Sequence, residues 1–307
     1  MELRQLRYFA AVARRQHFTR AAEDLHVAQP ALSQQIAQLE HELHVKLFDR
    51  TSRRVRLTDA GQTLLETAER ILADVESVTG EMHEYAGEIR GHVTLGTLQM
   101  LALLRLPKLL RQFHARYPQI EVALREGSTD ELTAGLRSRA IEMALVHFAD
   151  GVPRGTVSEP LFVDELGLAV PPGHRLAARR SVRFEELRDE TFVGFKSGTA
   201  ISRTLAVAAA AHGFAPKVAF ESGDALTVRA LVAEGLGVTV LPREMAEIAG
   251  PDVRIVPFVR PKLTRTIALA HLAQRRPSPA TRLLGAFLRE QLQALRQAQG
   301  DSAPRHA

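Results

Sequence analysis

Cysteine is absent from all 307 residues. That one absence excludes disulfides, thiolate metal sites and thiol-based redox sensing. No apolar run reaches the roughly 18 residues that a membrane-spanning helix requires. The opening Met1-Glu2-Leu3-Arg4 lacks the apolar core and cleavage site of a secretion signal, so a soluble cytoplasmic protein is expected. Lysine is scarce, at 5 of the 40 basic residues. The arginine excess suits phosphate binding, although a GC-rich gene produces the same preference. What remains is a chain that is 45% hydrophobic with a formal net charge of +5. It has ample core and is long enough for two or three domains.

The most informative stretch runs from Phe18 to Leu57. Phe18, Ala21, Ala22 and Leu25 recur at helical spacing with Val27 closing a turn, and Leu32, Ile36, Leu39 and Leu43 form a second apolar stripe. Ala21 and Ala22 are small, as a close crossing of two helix backbones requires. Gln29-Pro30 opens the second helix, where the missing proline N–H costs nothing. The opposite face carries Gln29, Ser33, Gln34 and Gln38, with no acid before Glu40, so it can approach phosphates and base edges. This is the helix-turn-helix pattern, whose second helix lies in the major groove. Short amphipathic helices packed only for structure show the same periodicity, so the sequel matters. Leu47-Phe48-Asp49-Arg50 leads through Thr51-Ser52-Arg53-Arg54 to Val55-Arg56-Leu57, with apolar and basic residues alternating about a turn, as in a two-stranded wing. Arginines at a wing tip fit a narrow minor groove, where the potential is most negative. Met1 to Thr58 holds 10 Lys+Arg against 6 Asp+Glu, a net of +4, in keeping with phosphate contact.

With Leu6, Phe9, Val12, Phe18, Ala21, Ala22, Leu25, Gln29, Pro30, Ser33, Ile36, Leu39, Glu40, Leu43, Leu47, Phe48, Arg50, Leu57, Thr58 and Gly61 so placed, the segment resembles the winged helix-turn-helix of LysR-type transcriptional regulators. Three positions depart from that pattern. His17 stands where a capping Ser is usual, so its helix is expected to start less firmly. Ala28 replaces a Ser or Thr, and His44 replaces the Gly that usually follows the second helix, although His tolerates the left-handed conformation better than most residues. Gln29, Ser33 and Gln34 are the expected base readers, Pro30 packs on a thymine methyl or sugar edge, and Gln38 lies on the same face. Arg50, Arg53 and Arg54 are expected on phosphate or in the minor groove. The resemblance implies several partners: double-stranded DNA with an interrupted inverted repeat, a small-molecule effector, a second copy of the chain and RNA polymerase. It implies no cofactor and no metal. Peroxide sensing through cysteines, as in some members, is excluded here.

From Asp59 the pattern changes to a long helix. Leu64, Ala68, Ile71, Val75, Val78, Met82, Tyr85 and Ile89 recur about every 3.6 residues, close to a heptad seam. Asp59 to Gly91 holds 8 acids and 2 arginines, which keeps this helix off DNA. The family pairs two subunits through the equivalent helix, which makes Leu64, Ala68, Ile71, Val75, Val78 and Met82 the expected dimerisation residues. Packing within its own chain is the alternative. A dimer, or a tetramer built from it, suits two heads reading an inverted repeat.

Gly87 to Gly91 reads as a hinge. Strands follow at His92–Gly96, Ile120–Arg125, Met143–Val146, Leu166–Val170, Phe192–Phe195, Val218–Glu221, Val238–Leu241 and Ile267–His271. Helices are expected at Met100–Tyr117, Thr129–Ser138, Ile201–His212, Ala225–Glu234 and Ser278–Leu295. Such alternation implies a mostly parallel sheet covered by helices. The expected architecture is α/β overall: a winged helix-turn-helix at 1–58, a dimerisation helix and hinge at 59–91, and an effector domain at 92–300. By the resemblance this last part is two-lobed and similar to type 2 periplasmic binding proteins. Lobe 1 is set at about 92–161 and 266–296 and lobe 2 at about 162–265, with a disordered tail at 297–307.

Ligands of open α/β sheets collect beyond the carboxyl ends of the strands. Thr97, Leu98, Gln99, Ser128, Thr129 and His147 are so placed in the first lobe, and Lys196, Ser197, Thr199, Gly223 and Asp224 in the second. Helix N-termini favour an anion, so the effector is expected to be anionic or polar. The plainer roles stay open: Ser128, Thr129 and Asp224 as caps, His147 as a bonded strand end, Lys196 as a solvated charge. Catalysis is not expected. Gly235-Leu236-Gly237 precedes a strand and lacks the third glycine of a dinucleotide fingerprint, and His41-Glu42-Leu43-His44 has the wrong spacing for a zinc helix. A solute-binding protein or an α/β enzyme without DNA function is the alternative that the second half alone would allow.

Overall fold

A computed structural model describes residues 1–51, 54–85, 89–104, 106–148, 151–260, 262–274 and 277–301. The chain divides into two compact units, one of Met1–Gly91 with Arg137–Ala140, the other of His92–Leu136 with Ile141–Ala307.

The first unit starts with α1 (Leu3–Arg15), α2 (Phe18–Asp24) and α3 (Gln29–Glu42). Leu6, Phe9 and Val12 of α1 meet Ala21 and Ala22 of α2 and Leu32, Ile36 and Leu39 of α3 in one core. The two alanines bring the backbones close, and each fully buried Leu, Ile or Phe contributes about 1.5–3 kcal/mol. His17 does cap α2, its Nδ1 accepting the Arg20 N–H at 3.4 Å, a long bond that fits the weak start expected of it. Ala28 gives α3 no side-chain cap. His44 takes the left-handed conformation after α3, at φ 54°. The wing is an antiparallel pair, β1 (Phe48–Thr51) with β2 (Arg54–Leu57), Phe48 opposite Leu57.

Glu40 joins α3 to this wing, a role the periodicity did not reveal. Its buried carboxylate accepts the N–H groups of Leu47 at 2.9 Å and Phe48 at 3.3 Å and the Lys46 ammonium at 3.2 Å. Burial pushes its pKa up, but the Leu47 N–H, Lys46 and the Phe48 N–H outweigh that and hold it below the ordinary value. Thr58 then caps α4 (Asp59–Tyr85), accepting the Gly61 N–H at 3.0 Å and donating to the Lys46 carbonyl at 2.7 Å. Gly61 is required here, because a Cβ would stand 2.1 Å from the Leu47 carbonyl oxygen.

The apolar stripe of α4 is divided. Ala68 is fully buried in the head core, with Leu64 and Ile71 half-buried against it. Ala68 therefore has no surface left for a second subunit, which corrects its expected place in the seam. Val75 is half-buried, while Val78, Met82 and Tyr85 are 57%, 52% and 86% exposed. The expected hinge falls partly outside the described residues, at 86–88.

The second unit is built on a seven-stranded sheet. Its strands are β3 (Gly91–Thr97), β4 (Ile120–Glu126), β5 (Met143–Val146), β6 (Thr156–Val170), β9 (Thr239–Pro242), β10 (Arg254–Pro257) and β11 (Thr264–Leu272). The order is β10-β6-β11-β5-β3-β4, with β9 also on β6. A smaller parallel pair joins β7 (Thr191–Phe195) to β8 (Lys217–Ser222). The helices are α5 (Gln99–Leu104), α6 (Leu106–Arg116), α7 (Thr129–Arg137), α8 (Ala200–Ala211), α9 (Ala225–Ala233) and α10 (Pro279–Asp301).

Two lobes follow from two sets of cores. Val93, Leu95, Phe113, Phe162, Ile267 and Phe287 fill the first; Leu166, Leu168, Phe184, Phe192 and Val240, with the adjoining Val193, Val228 and Met245, fill the second. β6 gives Phe162 to one lobe and Leu166 to the other, so it crosses between them beside β11. The expected mostly parallel sheet holds for β3 with β5 and for β7 with β8, but β6 runs antiparallel to β9, β10 and β11, and β11 antiparallel to β5. The crossing strands serve both lobes and so escape the strand-helix-strand rhythm that makes neighbours parallel. α10 runs on to Asp301, beyond the expected tail start; residues 302–307 lie outside those described.

Candidate DNA-reading face and effector cavity

In the head, the core decides what faces outward. Leu32, Ile36 and Leu39 are 0% exposed and pin one side of α3. Gln29, Pro30, Gln34 and Gln38 are then exposed on the others and Ser33 is half-buried. All five expected residues are thus on one helix whose orientation is set by the packing of its opposite side. Ala28 leaves the first-turn amides without a side-chain acceptor, so a phosphate oxygen can take that place. Arg53 lies outside the described residues, as do the side chains of Arg50 and Arg54.

In the second unit a cavity of about 430 Å³ opens between the lobes, lined by seven of the eleven residues expected there: Leu98, Gln99, Ser128, Lys196, Ser197, Thr199 and Gly223. The other four do not line it, for a common reason: their polar groups are turned to the protein. Thr97 is fully buried with its hydroxyl on the Leu98 carbonyl at 3.2 Å. Thr129 is buried and donates to the His147 carbonyl at 3.0 Å. The His147 Nδ1 lies 2.9 Å from the Thr266 carbonyl oxygen. Asp224 caps α9, accepting the Thr227 N–H at 2.7 Å and its hydroxyl at 2.6 Å. The Thr227 hydroxyl and N–H, with Gln99, hold the Asp224 carboxyl below its ordinary pKa.

The lining residues are bonded too. The Ser128 N–H and hydroxyl each reach Glu131 Oε2 at 2.8 Å. Those two donors, with Lys196 nearby, hold the Glu131 pKa down against its partial burial. The Ser197 N–H and hydroxyl bond Glu221 at 3.1 and 3.3 Å, and Thr199 caps α8 by accepting the Ser202 N–H at 3.3 Å. Several contacts bridge the lobes beside the cavity, among them the Ala225 N–H donating to Gln99 Oε1 at 3.4 Å. The Gln99 Nε2 donates to Asp224 Oδ1 at 2.9 Å, and the Arg203 Nη1 donates to Asp130 Oδ2 at 3.2 Å.

Sequence reasoning missed Met100, Glu126, Gly127, Asp130, Glu131, Phe195, Ala200 and Ile201 in the wall, and also Arg265. All but Arg265 sit in the loops already singled out or at the adjoining ends of β4, β7, α5, α7 and α8, and are found by extending each loop by a few residues. Arg265 comes from the start of β11, where nothing local marks it. The wall therefore carries Glu126, Asp130 and Glu131 against Lys196 and Arg265. Among the described residues, no cluster of His, Cys, Asp and Glu is arranged to hold a metal ion, and no helix is long and apolar enough to cross a membrane.

Known proteins show the same arrangement. Residues 3–62 match the family model described as "Bacterial regulatory helix-turn-helix protein, lysR family", and residues 86–293 match "LysR substrate binding domain". The transcriptional dual regulator GltC of Bacillus subtilis is 34% identical over 286 residues, covering 91% of this chain and 94% of that one. The dual regulator OxyR of Escherichia coli is 32% identical over 277 residues, covering 88% and 89%. Among solved structures, full-length CbnR complexed with its target DNA superposes with a TM-score of 0.72 at 26% identity, covering 94% of this chain and 99% of that one. Full-length OxyR of Pseudomonas aeruginosa gives 0.70 at 28%, covering 94% and 95%. A helix-turn-helix head followed by a two-lobed substrate-binding domain, matched along nearly the whole length of these regulators, establishes that the chain belongs to the LysR family of bacterial transcriptional regulators.

Proposed function

We propose that the protein works as a cytoplasmic homodimer, or a tetramer made of dimers, that binds an interrupted inverted repeat and changes promoter use when a small polar or anionic molecule enters the lobe cavity. Gln29, Ser33 and Gln34 read base edges, Pro30 packs on a thymine methyl or sugar edge, and Gln38 extends the face. Gln pairs bidentately with adenine, a contact worth about 1–3 kcal/mol of discrimination. Arg50, Arg53 and Arg54 hold phosphate or the minor groove at the wing. Val75, Val78 and Met82 carry the subunit contact, since Ala68 is spent within its own head. The chain binds and does not catalyse, and its regulatory output passes to RNA polymerase.

The observation that carries this reading is the exposed amide face of α3, fixed outward by three side chains that are 0% exposed. The CbnR structure, a complex with target DNA, supports the same use of the equivalent head. Coupling follows if occupation of the cavity alters lobe closure and so the spacing of the two heads. The test is gel retardation, at moderate salt with competitor DNA, of a duplex from the promoter region beside its own gene. A discrete, competitor-resistant complex is expected. Retardation no stronger than for unrelated duplex contradicts the reading.

A further inference from the structure

A second cavity, of about 400 Å³, lies within the first lobe, between α10 and the strands β5 and β11. It shares no lining residue with the cavity between the lobes. Close-packed interiors leave few voids larger than a water molecule, whereas small-molecule sites run from about 300 to 1,000 Å³. Buried Met143 and Leu269 form its floor, and exposed Arg282 and Ala286 stand at its mouth. The helix makes this room by what it leaves out. Gly285 and Ala286 separate Arg282 from Arg289, which stand about two turns apart on one face of α10. A Cβ at Gly285 would meet Met143 Cε at 3.2 Å and Arg289 Nη2 at 3.5 Å, so a side chain there would crowd both walls. Two guanidiniums and an imidazole, of Arg282, Arg289 and His271, face a single carboxylate, that of Glu142. Glu142 accepts the Thr94 N–H at 2.6 Å, and Arg282 donates to the Pro277 carbonyl at 3.2 Å. His271 turns its Nδ1 to the Leu272 carbonyl oxygen at 3.1 Å, which leaves Nε2. Arg289 spends only its Nε, on Glu159 Oε2 at 2.7 Å. Its two Nη groups, with four N–H donors, have no partner among the described residues, and the side chain is 39% exposed, within reach of a ligand.

We propose that this cavity is a second small-molecule site, separate from the one between the lobes, for a carboxylic acid with an apolar body, and that Arg289 anchors it. The carboxylate takes the Nη groups of Arg289 as a fork, a pairing strengthened because both partners are charged. The carbon body lies on Met143, Leu269 and Leu272. The bond to Glu159 on β6 uses one N–H of five, and accounts neither for the open Nη groups nor for the space beside them. The excess of basic groups in the wall favours an anion over a neutral or cationic molecule, and the apolar floor favours an organic acid over a bare oxyanion. The site does not depend on any reading of the cavity between the lobes. A molecule bound there braces α10 against β5 and β11 inside one lobe, without drawing the two lobes together.

The test is hydrogen–deuterium exchange of the full-length protein with millimolar hexanoate, octanoate and phenylacetate, each matched by its neutral amide, and with inorganic phosphate as a further arm. Every variant is compared with and without probe, so that loosening of α10 by the substitution alone cancels. At least one carboxylate is expected to protect peptides covering 142–146, 269–272 and 280–290, its amide much less. Arg289→Gln should raise the concentration needed by about 10-fold, and Arg289→Lys should recover part of that loss. Glu159→Gln breaks the same ion pair but keeps the guanidinium, so protection should persist; a purely structural Arg289 would make the two variants alike. Ala286→Phe, a change at an exposed position that fills the mouth, should abolish protection. Equal protection of wild type and Arg289→Gln, or of acid and amide, overturns the anchor. Phosphate acting as well as the acids overturns the organic-acid claim. Protection by no probe, or only at 126–131 and 196–201 around the other cavity, overturns the site and leaves the proposed function untouched.

Discussion

The two polar surfaces of this protein are built in opposite ways. On α3 the amides of Gln29, Gln34 and Gln38 are exposed, held in place by an apolar core behind them. Around the lobe cavity the corresponding groups are bonded to one another: Ser128 to Glu131, Ser197 to Glu221, Thr199 to the Ser202 N–H, Gln99 to Asp224. A preformed face binds its target without first breaking internal bonds, so affinity there follows surface complementarity. A self-satisfied cavity makes its ligand compete with bonds that already exist, so only a ligand offering better partners shifts the lobes. Under the proposed function, the head is a reader and the cavity a threshold.

The sharpest way to break this contrast is to remove what holds the reading face outward. Ile36→Ala deletes a 0% exposed side chain behind the amides and should cost about 2–5 kcal/mol, read by urea unfolding, with DNA affinity falling in step. Next in size is Glu40→Ala, which leaves the Leu47 and Phe48 N–H groups unpaired in a buried place and should cost about 1–3 kcal/mol. The sign with pH is fixed, because the Glu40 pKa is lowered on folding from an ordinary value of 4.5. Its stabilisation is full above that ordinary value and is lost as pH falls through the lower folded one. Acid titration of stability should therefore be less steep in the variant than in the wild type.

On the cavity side the effects are smaller. Asp224→Ala removes the cap of α9 and the acceptor of Gln99, with an expected cost of about 0.5–2 kcal/mol in thermal unfolding. Asp130→Asn breaks the exposed pair with Arg203 and should cost no more than about 1 kcal/mol. A cost from Asp130→Asn above that of Asp224→Ala would mean that the lobe-bridging pair, and not the caps, keeps the cavity closed on itself.

The head was legible because burial on a helix repeats every 3.6 residues. Phe18, Ala21, Ala22, Leu32, Ile36 and Leu39 mark the faces directly, and the wing is announced by alternation around its arginines. The cavity was legible only as loops. A Ser or Thr after a strand carries the same letter whether it caps the next helix or meets a ligand, so Thr97, Thr129, His147 and Asp224 were indistinguishable from Ser128 and Thr199. β6 was half seen: Glu159-Pro160 and Asp164-Glu165 interrupt its first part, and only Leu166–Val170 reads as a strand. Arg265 gave no local signal at all, since its position depends on pairing with Asp164 across a sequence gap that only the folded sheet closes. In α4 the stripe was visible, but no periodicity separates Ala68, which faces its own head, from Val78 and Met82.

The most direct test of the central claim is a double-mutant cycle between protein and DNA. Affinities of the wild type and of Gln29→Ala, Ser33→Ala and Gln34→Ala are measured for the operator and for duplexes changed one base pair at a time. Exposed amides reading base edges predict a coupling of about 1–3 kcal/mol confined to one or two base pairs for each residue. Coupling near zero at every base pair for all three variants would contradict the account.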